Sequence, residues 1–194
     1  MIFDTCDKIV ENSKQGSDFK GFEMDMLTYF SFAPSITKAE FDKLNVNSLT
    51  NKVYEEVLKV YADKNEKNAQ NAFPVISNVF ENKNNQYERI VVPFTDGNKS
   101  INVVTDLKKA YESKGKQLIA DFEKNITLAI VDETWKKHLR KMDELKQSVQ
   151  LAVHEQKDPL LIYKFEAYEL FKSSIESINK EIISFLFKGE IPTS

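Results

Sequence analysis

Residues 135–145 read Trp-Lys-Lys-His-Leu-Arg-Lys-Met-Asp-Glu-Leu, and residues 156–160 read Gln-Lys-Asp-Pro-Leu. The first stretch lies in a segment, 131–152, that contains neither proline nor glycine. Along this segment the stripe residues recur at alternating steps of three and four, as on one face of an α-helix; they are Val131, Trp135, His138, Met142, Leu145, Val149 and Ala152. The same spacing continues upstream to Leu118, so the pattern predicts one helix of roughly 35 residues, or ~50 Å.

The second stretch opens another long helix. Asp158 can accept hydrogen bonds from the free amides of a first helical turn, and Pro159 needs no amide donor there. The helix is predicted to end at Gly189, and its apolar stripe comprises Leu161, Phe165, Tyr168, Phe171, Ile175, Ile178, Ile182 and Phe185. Two such stripes joined by a short polar connection bury each other by folding back antiparallel. We therefore expect a long helical hairpin with a polar tip.

The first 115 residues have a different pattern. Thr37 and Glu40 have the spacing of a capping box that opens a short helix. A longer helix begins near Leu49, and we expect Pro74 to end it. Further on, Asp96-Gly97 separates two β-type apolar runs, which is a strong signal of a tight β-hairpin.

Together these patterns predict a mainly α fold. It consists of a long antiparallel helical hairpin plus a small, mostly helical domain with one β-hairpin. Gly115 is the expected seam between them, so we predict two domains, 1–115 and 116–194.

Composition and charge limit the classes of function. The chain has 194 residues and a formal net charge of −3, with Lys and Glu interspersed, so we expect no nucleic-acid surface. Cys6 is the only cysteine, which excludes an intrachain disulfide and fits a reducing compartment. No apolar run approaches the ~20 residues that span a bilayer. We therefore expect any membrane association to be peripheral.

Motifs for catalysis or cofactor binding are missing from the sequence. The five glycines are isolated, and neither a phosphate-binding loop nor a dinucleotide fingerprint is present. His138 and His154 are the only histidines; sixteen residues apart on one helix, they would be ~24 Å from each other and could not share a metal ion. We interpret Trp135 and His138 as packing or interface residues. The sequence thus predicts no catalytic residue, no metal site and no cofactor in this chain.

The two opening stretches also carry a family resemblance. They are similar to successive segments in the scaffold of the SecA family of protein translocases: a tryptophan, His-Leu, Met-Asp-x-Leu, Gln-Lys-Asp-Pro and Tyr-Lys-x-Glu. The matching positions follow without a gap and are Trp135, His138, Leu139, Met142, Asp143, Leu145, Leu151, Gln156, Lys157, Asp158, Pro159, Tyr163, Lys164 and Glu166. Residues 116–194 resemble the two-helix finger of the family's helical scaffold domain. Residues 1–115 resemble its helical wing domain in length, order and β-hairpin.

The resemblance implies a function. Full-length members use ATP and Mg²⁺ to drive preproteins through the SecY channel, so this chain is implied to be a non-catalytic fragment of that motor. Trp135, His138 and Met142 are implied to contact the motor domains of the same polypeptide. The fingertip, implied to contact the channel or the preprotein, comprises His154, Glu155, Gln156, Lys157 and Asp158. The implied location is cytoplasmic, with peripheral association at the inner (plasma) membrane.

Two positions depart from the family pattern. Ala152 stands where the family has an arginine, which leaves no charge for a salt bridge, and His154 stands where it has the tip tyrosine. A side chain that presses on any passing polypeptide needs bulk and an amphipathic ring more than a phenol hydroxyl. The resemblance therefore still implies a contact role for His154.

Two other functions are compatible with the residues alone. A helical adaptor or coiled-coil module unrelated to secretion needs only the amphipathic helices, whereas a metal- or nucleotide-dependent enzyme is disfavoured by the missing motifs. In the family, another scaffold helix upstream of the wing packs along the helix predicted at 118–153, and we expect this sequence to begin after it. An apolar stripe would then stay uncovered. We therefore expect the fragment to self-associate through the finger. Because the sequence has no phosphate-binding loop, we also expect the fragment not to bind ATP.

Overall fold

The computed structural model describes residues 1–83, 87–151 and 158–192. Its elements in chain order are α1 (Ile2–Gln15), α2 (Phe19–Phe30), α3 (Lys38–Lys43), α4 (Val46–Lys83), β1 (Arg89–Thr95), β2 (Ser100–Asp106), α5 (Leu107–Glu112), α6 (Lys116–Leu151) and α7 (Pro159–Lys188). The predicted mainly α fold with one β-hairpin is confirmed. None of the helices in these ranges combines the length and the apolar character that a membrane span requires.

Side-chain caps set the starts of three short helices. The Asp18 carboxylate accepts a hydrogen bond of 2.9 Å from the third amide of α2. Thr37 and Glu40 form the predicted capping box of α3, and Asp106 accepts a bond of 2.9 Å from the third amide of α5. Each cap satisfies an amide that the first helical turn leaves without a partner. The predicted start of α3 is confirmed.

The prediction that Pro74 ends a helix is wrong, because α4 continues through it without interruption. Proline has no amide to donate to the preceding turn, so the helix carries a local defect there. Packing beyond the proline offsets this cost. Ile76 is only 1% exposed, and Phe80 stacks on Tyr111 of α5 with ring centroids 4.2 Å apart.

The β-hairpin has the predicted position. β1 and β2 pair antiparallel, with Val92 opposite Val103, and the chain reverses at Asp96-Gly97. Gly97 has a φ of +91°, a left-handed conformation that favours glycine in tight turns. One face of the hairpin points into the core, where Phe94 and Val103 are fully buried.

The chain divides into two compact units. One, here called the mixed unit, comprises Met1–Ile126 and Ile183–Ser194; the other, the finger unit, comprises Thr127–Ile182. The boundaries fall inside α6 and α7, so both helices contribute to both units. Gly115 lies in the turn between α5 and α6 with a φ of +86°. The division into domains 1–115 and 116–194 stays a prediction.

The mixed unit has a dense aromatic core. The ring of Phe122 on α6 stacks on that of Phe94 on β1, with centroids 4.2 Å apart, and its centroid lies 6.2 Å from that of Phe185 on α7. Cys6 is completely buried in this unit, and burial raises the pKa of its thiol to about 12, which keeps the thiol protonated and unreactive. We therefore interpret Cys6 as a packing residue.

The last turn of α7 is held by side chains of α4. α7 ends immediately before Gly189, as predicted. Asn68 Nδ2 donates to the Gly189 carbonyl at 3.3 Å, and Lys64 Nζ donates to a carbonyl in the last turn of α7 at 3.0 Å. Glu190 then pairs with Thr95 through two backbone bonds of 2.9 Å, so the chain after α7 lies along the edge of β1.

α6 and α7 run antiparallel, as predicted. Within the mixed unit Phe122 lies beside Phe185, and within the finger unit His138 lies beside Ser174. Residue numbers therefore rise along α6 while they fall along its neighbour. The 36 residues of α6 agree with the predicted helix length.

Candidate interaction surface

α6 presents two neighbouring apolar sectors in the finger unit. Successive helical residues lie about 100° apart, so residues three or four positions apart share a sector. The covered sector consists of Ile130, Thr134, His138, Leu145 and Val149, each less than a tenth exposed. The exposed sector consists of Leu128, Val131, Trp135 and Leu139, which are 39–58% exposed. The apolar arc of α6 is therefore wider than the part that is covered.

α7 repeats this arrangement in the finger unit. Five of its exposed apolar side chains have helical spacing and are 41–68% exposed; they are Leu161, Phe165, Tyr168, Phe171 and Ile175. The stripe becomes buried only at Ile178 and Ile182, which are 9% and 3% exposed. The expectation that the two stripes bury each other along their length is therefore wrong for most of the finger unit. We call these five side chains and the four exposed ones of α6 the exposed apolar face.

His138 lies where the covered and exposed sectors meet. Its imidazole is 5% exposed, and its Nδ1 lies 3.1 Å from the Oγ of Ser174 on α7. A serine hydroxyl has one proton, and Ser174 donates it to the Leu170 carbonyl at 2.8 Å. The Ser174 oxygen must therefore accept from Nδ1, which carries a proton. This hydrogen bond fixes the ring and ties α6 to α7.

Two aromatic side chains flank the His138 ring. The ring of Trp135 is 5.2 Å away and tilted by 32°, and Phe171 approaches edge-on at 6.0 Å. Both flanking side chains are 46% exposed. A large, supported aromatic that is still half exposed offers much contact area at a small cost in side-chain entropy. This geometry suits binding to another protein surface.

Charged pairs flank the two sectors of α6: Asp132 and Lys136 lie next to the exposed sector, whereas Glu133 and Lys137 lie on the far side of the covered one. Lys136 pairs with Asp132 and Lys137 with Glu133, each at 2.6 Å and four residues apart. The hydrogen bond to Glu133 raises the pKa of Lys137, so that amine stays charged. An apolar centre with a charged rim is the usual composition of a protein–protein contact.

The three residues predicted to contact the motor domains all lie on α6 in the finger unit. Trp135 is half exposed, Met142 is half-buried and His138 is buried. The rings of Trp135 and His138 lie together, with centroids 5.2 Å apart, and Met142 follows one turn further along the helix. Their contact with a motor domain stays a prediction.

Of the predicted fingertip, only Asp158 lies within the described ranges. Its carboxylate accepts a hydrogen bond of 2.9 Å from the amide of Leu160, which confirms it as the cap of α7. The other predicted tip residues lie outside the described residues: His154, Glu155, Gln156 and Lys157.

Sequence reasoning missed three participants in this surface. Leu128 and Leu139 belong to the exposed sector, although the predicted stripe excluded both. The position of Leu139, four residues after Trp135, was a usable signal because such pairs share a helix face. Ser174 gave no signal, since its contact with His138 depends on how two helices pair across the hairpin.

The described residues contain no group of three or more His, Cys, Asp or Glu side chains arranged to hold a metal ion. Two open clefts occur in the mixed unit, with volumes of about 830 and 780 Å³. The larger one is lined by Lys64, which holds the end of α7.

Known proteins resemble this chain over almost all of its length. The family described as the SecA wing and scaffold domain matches residues 1–190. Proteins named protein translocase subunit SecA are 64% identical over 192 residues in Flavobacterium psychrophilum, 59% over 194 in Christiangramia forsetii and 42% over 191 in Parabacteroides distasonis. These alignments cover 99%, 100% and 98% of this chain but 17% of each relative. Because the family match runs through both units, this chain belongs to the SecA wing and scaffold domain family.

Proposed function

We propose that this chain is the wing and scaffold part of a preprotein translocase and that its finger links the ATP-driven motor to the SecY channel and the preprotein. The chain itself is non-catalytic, and ATP and Mg²⁺ are bound elsewhere in the full-length polypeptide. The observation that carries this proposal is the exposed apolar face in a member of the SecA family. A helical adaptor unrelated to secretion loses its support, since the match spans nearly the whole chain.

The exposed apolar face is the proposed contact with the motor domains of the same polypeptide. Contiguous apolar patches of several hundred Å² are usually covered by a partner. The relatives carry most of their length outside the matched segment, which is 17% of each, so a longer polypeptide of this kind has chain available to cover it. In this contact Trp135 is the anchor, the buried His138 supports it, and Met142 adapts its flexible side chain to the opposing surface.

The motor contact is tested by Trp135→Ala in the full-length protein. We expect basal ATPase activity to rise and preprotein transport to fall, because in this proposal the contact at Trp135 restrains the motor. Met24→Ala is the matched control, since Met24 is 63% exposed but lies in the mixed unit. Equal effects of the two substitutions, or none from either, would refute the contact.

The fingertip is tested by crosslinking in reconstituted vesicles. A cysteine at position 154 should crosslink to a stalled preprotein, whereas the native Cys6 should not, because it is completely buried. His154→Ala should slow transport with basal ATPase intact, and His154→Tyr should preserve transport. Normal transport by the alanine variant without any crosslink would leave the finger as a scaffold only.

The isolated chain provides two further tests. We expect no saturable ATP binding in calorimetry, and heat from such binding would overturn the assignment of a non-catalytic fragment. We also expect concentration-dependent self-association in sedimentation, because the exposed apolar face has no motor domain to cover it. Phe165→Glu places a charge on that face and should abolish the association. A strictly monomeric wild-type chain would contradict the predicted self-association.

A further inference from the structure

The cleft of about 830 Å³ in the mixed unit holds an unusual lysine. Lys64 of α4 lines it and donates from Nζ to the carbonyl of Leu186 at 3.0 Å. Apolar side chains line the same cleft, including Phe30, Val60 and Phe187. The charged residues that line the cleft are balanced in sign: Asp63, Asp96, Glu190, Lys64, Lys67 and Lys188.

No carboxylate among the described residues forms an ion pair with the Lys64 amine; Glu190 acts on it only through its more distant charge. An ammonium has three donors, and only the bond to Leu186 occupies one here. The amine is therefore half-buried, held in place by one carbonyl and open to a cavity large enough for a small molecule. When it is neutral, the same N–H still donates to Leu186, and the lone pair of the nitrogen is left free.

We propose that Lys64 is a site of Nε-acylation by small activated acyl groups of the acyl phosphate class. The neutral Nζ attacks the carbonyl carbon and a C–N bond forms. The C–O bond to phosphate breaks, phosphate leaves with the electron pair, and the proton lost from nitrogen passes to solvent. The product is an amide without the positive charge that faces the last carbonyls of α7.

Burial makes Lys64 more nucleophilic near neutral pH than an ordinary lysine. It lowers the pKa of the amine from 10.5 to about 8, with the Glu190 charge opposing the shift. At pH 7.5 about a quarter of such amines are neutral, against roughly 0.1% of amines with the ordinary pKa. A less basic amine is also a weaker nucleophile, which offsets part of the gain in neutral amine. We therefore expect a net acylation rate about tenfold above that of an exposed lysine.

The test is the rate of acetylation of each lysine when the intact chain is treated with acetyl phosphate, read by peptide mass spectrometry. Lys67 is the internal control, because it lines the same cleft but is exposed. We expect Lys64 to react about tenfold faster at pH 7.5, and its rate to level off above pH 8. A rate at or below that of Lys67 would overturn the proposal.

A second variant separates the environment of Lys64 from its mere accessibility. Val60→Asp places a carboxylate one turn away on the same helix, which raises the pKa of a neighbouring amine. It should slow acetylation of Lys64 several-fold and leave Lys67 much less affected, whereas Val75→Asp, on the same helix but outside the cleft, should change neither. An unchanged Lys64 rate in folded Val60→Asp contradicts the proposal. If that variant does not fold, the comparison with Lys67 in the wild-type chain decides.

Discussion

The mixed unit and the finger unit use the same two helices in opposite ways. The twelve largest fully buried side chains of the described residues all belong to the mixed unit. In the finger unit, ten large apolar side chains of α6 and α7 are exposed. The difference is the number of layers: in the mixed unit α4 and the β-hairpin also pack on these helices, through contacts such as Phe94 with Phe122.

This difference separates stability from binding. A helix pair alone covers about half of the apolar arc of each helix, and a further layer is needed to cover the rest. We infer that the mixed unit supplies most of the free energy of folding. The apolar side chains of the finger unit are then available for an interface, where their burial would contribute to binding instead.

The most direct test of this difference between the units is to remove one phenylalanine ring from each. Phe122→Ala deletes a completely buried ring and should lower the free energy of unfolding by about 3–5 kcal/mol. Phe165→Ala deletes a ring that is 68% exposed and should change it by less than about 0.5 kcal/mol. Urea unfolding followed by circular dichroism measures both. Similar losses for the two variants would show that the finger unit is folded around its own core.

Glycines in the mixed unit give the next largest effect. A Cβ at Gly115 would lie 2.7 Å from the carbonyl oxygen of Ala69, and its φ is +86°. Gly115→Ala should therefore destabilise by about 2–4 kcal/mol, from strain plus overlap. Gly97 has a φ of +91° but open space around it, so Gly97→Ala should cost only about 1–2 kcal/mol. Thermal unfolding of the two variants separates overlap from strain, and a larger loss at Gly97 would contradict the packing.

Local signals predicted the ends of most elements. The capping box of Thr37, the turn at Gly97 and the cap at Asp158 are each formed by residues within a few positions of one another, so sequence contains all the information. Pro74 misled because its cost is local while the contacts that offset it, such as Phe80 with Tyr111, are distant in sequence.

The candidate surface was predicted only in part. Periodicity identified the apolar arc of α6, including Trp135 and His138, but it could not tell which part of a wide arc its partner covers. The predicted stripe therefore included Val131, which is 39% exposed, and omitted Ile130, which is 4% exposed. A shift of one residue, or about 100° on a helix, decides between core and interface. That choice depends on the pairing of α6 with α7.

The pH dependence of stability offers a finer probe of the mixed unit. Burial lowers the pKa of Lys64 from 10.5 to about 8 in the folded chain. Between these values Lys64 binds more protons in the unfolded chain, so its contribution to the free energy of unfolding should rise with pH across that window and be flat below pH 8. Burial also raises the pKa of Tyr61, which acts in the opposite direction above about pH 10.

The measurement is therefore the difference between the wild type and Lys64→Met in urea unfolding from pH 7 to 10. The variant loses the bond to Leu186 at every pH, and the stability of the wild type relative to the variant should increase between pH 8 and 10. Parallel curves for the two proteins would contradict the lowered pKa.

The smallest expected effect lies on the charged rim of the finger unit. Asp132 and Lys136 pair at 2.6 Å, but their side chains are 65% and 66% exposed. Water and salt screen such a pair, and holding two long side chains in one geometry costs entropy, so the interaction should contribute only about 0.2–0.5 kcal/mol. A double-mutant cycle with Asp132→Ala and Lys136→Ala measures it, and the coupling should fall towards zero in 1 M salt because the screening length there is about 3 Å. A coupling above about 1 kcal/mol that survives in salt would mean that the rim is shielded from water, and the finger unit would then be less open than its exposed apolar face indicates.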